Sequence, residues 1–169
     1  TKPSNPNTSD QQRVRSVFAE MTSFVALFAD QIKYLSALNT SGQSVRNAII
    51  QANKAQIMSG SFDKATLIIS KGGLQKVSGE SANQAAGKVT VTWDNPTATN
   101  FTEKAKLVAV MVQPTSGLVE VAEADAKAGT LTGNITFAAG SVDIYVYYLD
   151  KRGSNKVASI SDHLSVTVD

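Results

Sequence analysis

The chain has 169 residues, 42% hydrophobic and 18% charged, with a formal net charge of +2 and no cysteine. That is one domain's length with enough apolar material for a packed core, which excludes wholesale disorder, and the missing cysteine excludes disulfides, thiolate nucleophiles and most structural zinc sites. Residues 1–60 carry six Lys and Arg against three Asp and Glu, and residues 61–169 ten against eleven, so no nucleic-acid partner is expected.

Residues 1–9, TKPSNPNTS, are polar and hold Pro3 and Pro6, which favour extended backbone. An arm of this composition keeps one conformation only where something pins it. Thr1, Lys2, Pro3, Ser4, Asn5, Pro6, Asn7 and Thr8 are therefore the expected contact with a neighbouring subunit. The first residue is Thr rather than Met, which reads as processing or trimming. The longest apolar run, FVALFA at 24–29, falls short of the roughly 20 residues a membrane span needs, so no membrane insertion is expected.

From Asp10 the apolar residues take helical spacing: Val14, Val17, Phe18, Met21, Phe24, Val25, Phe28, Ile32, Leu35 and Leu38. They predict one long helix ending at NTSG, 39–42. A second helix, about Gln43 to Met58, lines up Val45, Ala48, Ile49, Ala52 and Ala55, and the two form a predicted hairpin over residues 10–60. Its polar positions are mostly Ser, Thr, Gln and Asp, not the lysine-rich face of an interfacial membrane helix.

After residue 60 the pattern turns to strands. ATLIIS (65–70), KVTVTW (88–93), KLVAVMVQ (106–113), LVEVAEA (118–124), GTLTGNITF (129–137), SVDIYVYYLD (141–150) and KVASISDHLSVTV (156–168) are seven candidates. Turn residues separate them, as expected of a β-sandwich. Two of these strands are apolar on both alternating faces. In the third, Leu107, Ala109 and Met111 alternate with Val108, Val110 and Val112. In the sixth, Ile144, Val146 and Tyr148 alternate with Tyr145, Tyr147 and Leu149. A half-buried strand needs one apolar face. The second is expected to be covered by the helical hairpin through Phe18, Met21, Phe24, Val25, Phe28 and Ile32 packed on Tyr145, Tyr147 and Leu149, giving three layers with the third and sixth strands as central neighbours.

GKVTVTW (87–93), GTLTGNITFAAGSVDIYVYYLDKRG (129–153) and HLSVTV (163–168) carry a resemblance to fibronectin type III and immunoglobulin-like modules. The whole chain resembles an uncharacterised family of Bacteroidota proteins through its opening from Lys2 to Phe18, Asn47 to Ile49, LIISKGGL (67–74) and GKVTVTW. Members of that family carry a further Gly-rich N-terminal segment, so the resemblance implies a trimmed or processed form. It also implies an α+β fold: an extended arm (1–9), a helical hairpin (10–60) and a seven-stranded fibronectin type III-like β-sandwich (61–169) on which the hairpin packs.

Catalytic signatures are thin. His163 is the only histidine and no G-x-S-x-G elbow accompanies it. Glu120, Glu123 and Asp125 lack calcium-loop spacing, with Glu120 and Glu123 on opposite strand faces, and SKGGLQK (70–76) lacks that of a phosphate loop. Four N-x-[ST] sites, at Asn7, Asn39, Asn100 and Asn134, follow from an Asn/Ser/Thr-rich composition. The chain is therefore expected to be no enzyme, to hold no cofactor or metal, and to work as a self-assembling structural protein, a subunit of an extracellular filament or phage-like particle whose partner is itself or another structural subunit. The alternative is a surface binding module recognising a glycan or protein receptor through loops 94–103 and 150–156, with Phe101, Lys151 and Arg152 as contacts.

Overall fold

The computed structural model describes residues 7–38 and 42–169. Helix α1 (Ser9–Ala26) begins where the Thr8 hydroxyl accepts the Gln11 amide at 3.2 Å, satisfying one of the free donors of a first helical turn. It stops well short of Leu38. The amides of Leu27 and Phe28 bond back three residues instead of four, and a 3-10 turn (Ala29–Ile32) follows. Phe28 and Ile32 are still completely buried, so the apolar stripe outlasts the regular helix.

The second predicted helix is two: α2 (Val45–Ala52), capped by the Ser44 hydroxyl, and α3 (Lys54–Ser59), ended by Gly60 in the left-handed region at φ 75°. The break falls at Asn53 (φ −110°, ψ 20°). Its buried amide group donates to the Ile49 and Ile68 carbonyls, both at 2.7 Å, and accepts the Ile68 amide at 2.8 Å.

That second pairing bears on the first predicted strand. Residues 65–70 join no sheet. After a 3-10 turn (Lys64–Thr66), the chain runs along the edge where the last strand breaks. Ile69 donates to the Ser161 hydroxyl, Ser161 to the Ser70 carbonyl, the Ser70 hydroxyl to the Ser159 carbonyl, and Leu74 to the Ala158 carbonyl. The sheet strand is instead β1 (Ser81–Ala85), a polar segment held by a two-residue turn at Ala86 and Gly87, with φ of 52° and 82°.

The remaining strands are β2 (Lys88–Thr92), β3 (Lys106–Gln113), β4 (Leu118–Asp125), β5 (Thr130–Thr132), β6 (Gly140–Arg152), β7 (Asn155–Ala158) and β8 (Asp162–Val168). The predicted final strand is split by Ser159, whose hydroxyl takes the Tyr148 amide at 2.9 Å and whose own amide goes to the Tyr148 carbonyl. One antiparallel sheet runs β1-β2-β5. The other runs β4-β3-β6-β7, with β8 also on β6. The chain is thus an α+β protein whose eight strands form an immunoglobulin-like sandwich of the fibronectin type III kind, with the fourth strand on the sheet of the third and sixth.

β3 and β6 are neighbours from Lys106 opposite Leu149 to Val112 opposite Asp143. Their two faces feed two cores. Leu107, Ala109, Met111, Ile144, Val146 and Tyr148 meet Val89, Val91 and Trp93 between the sheets. Val108, Val110, Val112, Tyr145, Tyr147 and Leu149 meet Val17, Met21, Phe24, Val25, Phe28 and Ile32 beneath the helices. Phe18 is a correction: it is 48% exposed. One residue along a helix turns about 100°, and Val17, not Phe18, occupies the stripe facing the sheet.

Candidate functional site

The tyrosine-rich face of β6 is closed to ligands. Phe24 and Phe28 contact the Tyr145 ring, each at 6.2 Å between centroids. The Tyr145 hydroxyl donates to the Lys64 carbonyl and the Tyr147 hydroxyl to the Leu35 carbonyl, both at 2.7 Å. Burial raises both phenols far above their ordinary range and pushes Tyr148, on the opposite face, up to about 12. All three therefore stay protonated, and Tyr145 and Tyr147 tie the helical layer to the sheet as donors.

The loop site is more rigid than its composition suggests. Phe101 is half-buried, edge-on against Tyr148 with centroids 5.0 Å apart, so it anchors the loop instead of presenting an aromatic to solvent. The next residue clamps Asp150, which is fully buried. Its carboxylate accepts the Thr102 amide at 2.9 Å, the Thr102 hydroxyl at 2.6 Å and Arg152 Nε at 3.2 Å. Burial opposes the charge, but these donors outweigh it and hold Asp150 below the usual carboxylate range. Arg152 also donates to the Asn100 carbonyl. Arg152 is thus spent on the fold, and of the three predicted recognition residues only Lys151 is fully exposed.

His163 lies on the helix-facing side of β8. Its Nε2 is 2.8 Å from Asp143 Oδ1, and its ring lies 5.2 Å from Tyr145. Lys64 Nζ approaches the same carboxylate at 3.9 Å. No hydroxyl nucleophile hydrogen-bonds to the imidazole among the described residues. On the other side of β8, Asp162 pairs with Glu80. Burial, then the shared hydrogen bond with Asp162, raises Glu80 to about 7, while the same bond holds Asp162 below its ordinary range, aided by Lys76 at 3.7 Å. The two carboxyls meet where β1 begins beside β8. Among the described residues no cluster of three or more His, Cys, Asp or Glu could hold a metal ion, and no helix is long and apolar enough to cross a membrane.

Of the predicted arm, Thr1 to Pro6 lie outside the described residues. Asn7 and Thr8 belong to the start of α1, Thr8 as its cap and Asn7 through its carbonyl and side chain, 3.5 Å from Gln12 and Arg15.

The sheet edges differ. At one end of the larger sheet, residues 67–74 bond to the chain around the β7–β8 break. At the other, β4 pairs with β3 through all eight of its residues and with no strand on its outer side among the described residues. Glu120 of β4 turns inward, where it is buried and accepts the Asn134 and Ile135 amides at 2.5 and 3.1 Å. This capture ends β5 after three residues. The sequence shows Glu120 as one of three acidic residues without calcium-loop spacing, and no local pattern marks it as a backbone acceptor.

No protein-family model matches the chain, and no curated protein sequence matches it. Among solved structures it is similar to a family 76 glycoside hydrolase from a bovine Bacteroides thetaiotaomicron strain (TM-score 0.43, 11% identity, 56% of this chain and 20% of that one). It is also similar to domains d3–d4 of the rat CD45 extracellular region (0.38, 15%, 56% and 52%). A third is the chicken interferon gamma receptor alpha chain (0.37, 14%, 54% and 44%). The aligned part spans between a fifth and about half of those chains.

Proposed function

We propose that this chain is a non-enzymatic, extracellular structural module that assembles with copies of itself, as in a filament or phage-like particle, and that it belongs with the Bacteroidota family its opening resembles. One observation carries the reading: the eight-residue β4 pairs with β3 on one side and with no strand on its outer side among the described residues, so alternate residues turn backbone groups outward, while the opposite edge of the same sheet is strapped. An open edge of that length is a template for strand addition. With Glu123 and Asp125 exposed on it, the edge resists pairing with its own copy, since like charges would oppose. It suits a segment such as residues 1–6, whose one charged side chain is Lys2.

The test compares the chain with a variant lacking residues 1–6, which keeps the Thr8 cap, by light scattering and negative-stain microscopy. Assemblies formed by the full chain and lost on truncation support the reading. Dispersed monomers in both samples overturn it.

A further inference from the structure

At the loop end of the larger sheet, on the helix-facing side, four lysines gather without ion-pair partners among the described residues. Lys106 is opposite Leu149 in the β3–β6 register, and Leu149 belongs to the helix-side core. Side chains two residues apart share a strand face, so Lys151 follows Leu149 on that face. Lys156 stands directly opposite Lys151 across the β6–β7 hairpin. Lys104 completes a depression of about 190 Å³ lined by Lys104, Lys106, Glu123, Leu149 and Lys151. All four lysines are exposed, and none forms an ion pair among the described residues.

Two carboxylates stand nearby on β4. Asp125 is opposite Lys106, but its Oδ1 accepts the Lys127 amide at 3.0 Å in the following turn. Glu123 alone lines the depression. The Lys151–Lys156 pair is the telling feature, because like charges directly opposed across an antiparallel hairpin destabilise it. An anion placed between them would remove that penalty.

We infer that this face binds an acidic polysaccharide, a glycan carrying carboxylate or sulfate groups. The lysines would neutralise successive anionic groups, and Glu123 would accept sugar hydroxyls. A nucleic acid fits less well. Among the described residues no exposed aromatic adjoins the lysines for base stacking, since Phe101 is packed on Tyr148. The lysines lie off the β4 edge, so the inference does not rest on assembly there: deleting residues 1–6 should not abolish glycan binding.

Titration calorimetry at low salt with polygalacturonate, dextran sulfate, neutral dextran and oligo-dT tests it. The expected result is binding to the two acidic glycans, weakening as salt rises, with neutral dextran silent. The triple variant K106Q/K151Q/K156Q should lose at least tenfold in affinity with an unchanged or higher thermal midpoint. Lys88→Gln, on the other sheet, should bind as wild type. Amide NMR shifts on adding polygalacturonate to wild type, centred on residues 104–106 and 151–156, provide a readout that does not depend on the variant's folding. No binding to either acidic glycan, equal affinity in the triple variant, or tighter binding of oligo-dT would overturn the inference.

Discussion

The side-chain amide of Asn53 pairs with the backbone of Ile68 as another peptide would, donating to its carbonyl at 2.7 Å and accepting its amide at 2.8 Å. One buried side chain thereby breaks a helix and replaces the strand partner that residues 67–70 lack. Leaving both Ile68 groups unsatisfied should be expensive, at about 1–3 kcal/mol per buried group. Asn53→Ala is expected to lose about 2–4 kcal/mol in denaturant unfolding. Asn53→Asp, which keeps the acceptor but removes the donor, should fare little better, and a change below about 1 kcal/mol in either variant would contradict the pairing.

The tyrosine hydroxyls allow a finer cut. Tyr147→Phe removes only the bond to the Leu35 carbonyl and should cost about 1 kcal/mol, whereas Tyr147→Ala also leaves a cavity beneath the helices and should cost about 3–5 kcal/mol. Chemical denaturation of both variants gives the ratio. Comparable losses would mean that the hydroxyl, not the ring, holds the layers together.

The Glu80–Asp162 pair sets a pH dependence of definite sign. Glu80 is raised to about 7 in the folded chain, so its protonated form contributes stability that is full below about 4.5 and lost as pH climbs through about 7. Asp162 is shifted down, so its contribution is present at neutral pH and lost in acid, as pH falls through its depressed value. The unfolding free energy should decline between pH 5 and 7.5, with a slope well under the ~1.4 kcal/mol per pH unit of a single proton because Glu80 is partly solvated. Glu80→Gln should flatten that segment. An undiminished slope in the variant would assign it to other groups.

Ala86 sits at φ 52°, the one non-glycine residue with positive φ among those described. Two-residue hairpin turns with positive φ at both central positions favour Asn-Gly over Ala-Gly. Ala86→Asn or Ala86→Gly should therefore raise stability by about 0.5–1 kcal/mol, read as a shift in the urea midpoint at constant slope. Gly87→Ala should do the reverse, since its new methyl would lie 2.8 Å from the Phe137 carbonyl oxygen.

Periodicity carried the layered plan. Alternation in β3 and β6 revealed two buried faces, and the stripe from Val17 to Ile32 supplied the cover for one. It failed where a polar side chain substitutes for backbone. Asn53, Ser159 and Glu120 each capture main-chain groups far away in sequence, splitting a helix, splitting a strand and cutting β5 short, and nothing in their local surroundings announces it. β1 was invisible because SANQA has neither apolar alternation nor β-branched residues; its turn and its partner β2 hold it in the sheet. Phe101 and Arg152 looked like recognition residues because loops usually expose such side chains, and only the geometry shows them anchored on Tyr148 and Asp150. The lysine face drew in residues from three separate strands and their flanks, of which Lys151 alone had been singled out.

The packing of Phe24 on Tyr145 also has a temporal side. During synthesis Phe24 leaves the ribosome about 120 residues before Tyr145, which at ~5–20 residues per second is on the order of 10 s. Throughout that interval the stripe of Met21, Phe24, Val25 and Phe28 has no sheet to rest on, and the finished contacts are of long sequence separation, which slows folding. The stripe therefore stays uncovered on the nascent chain until β6 has paired with β3 and the tyrosine face exists.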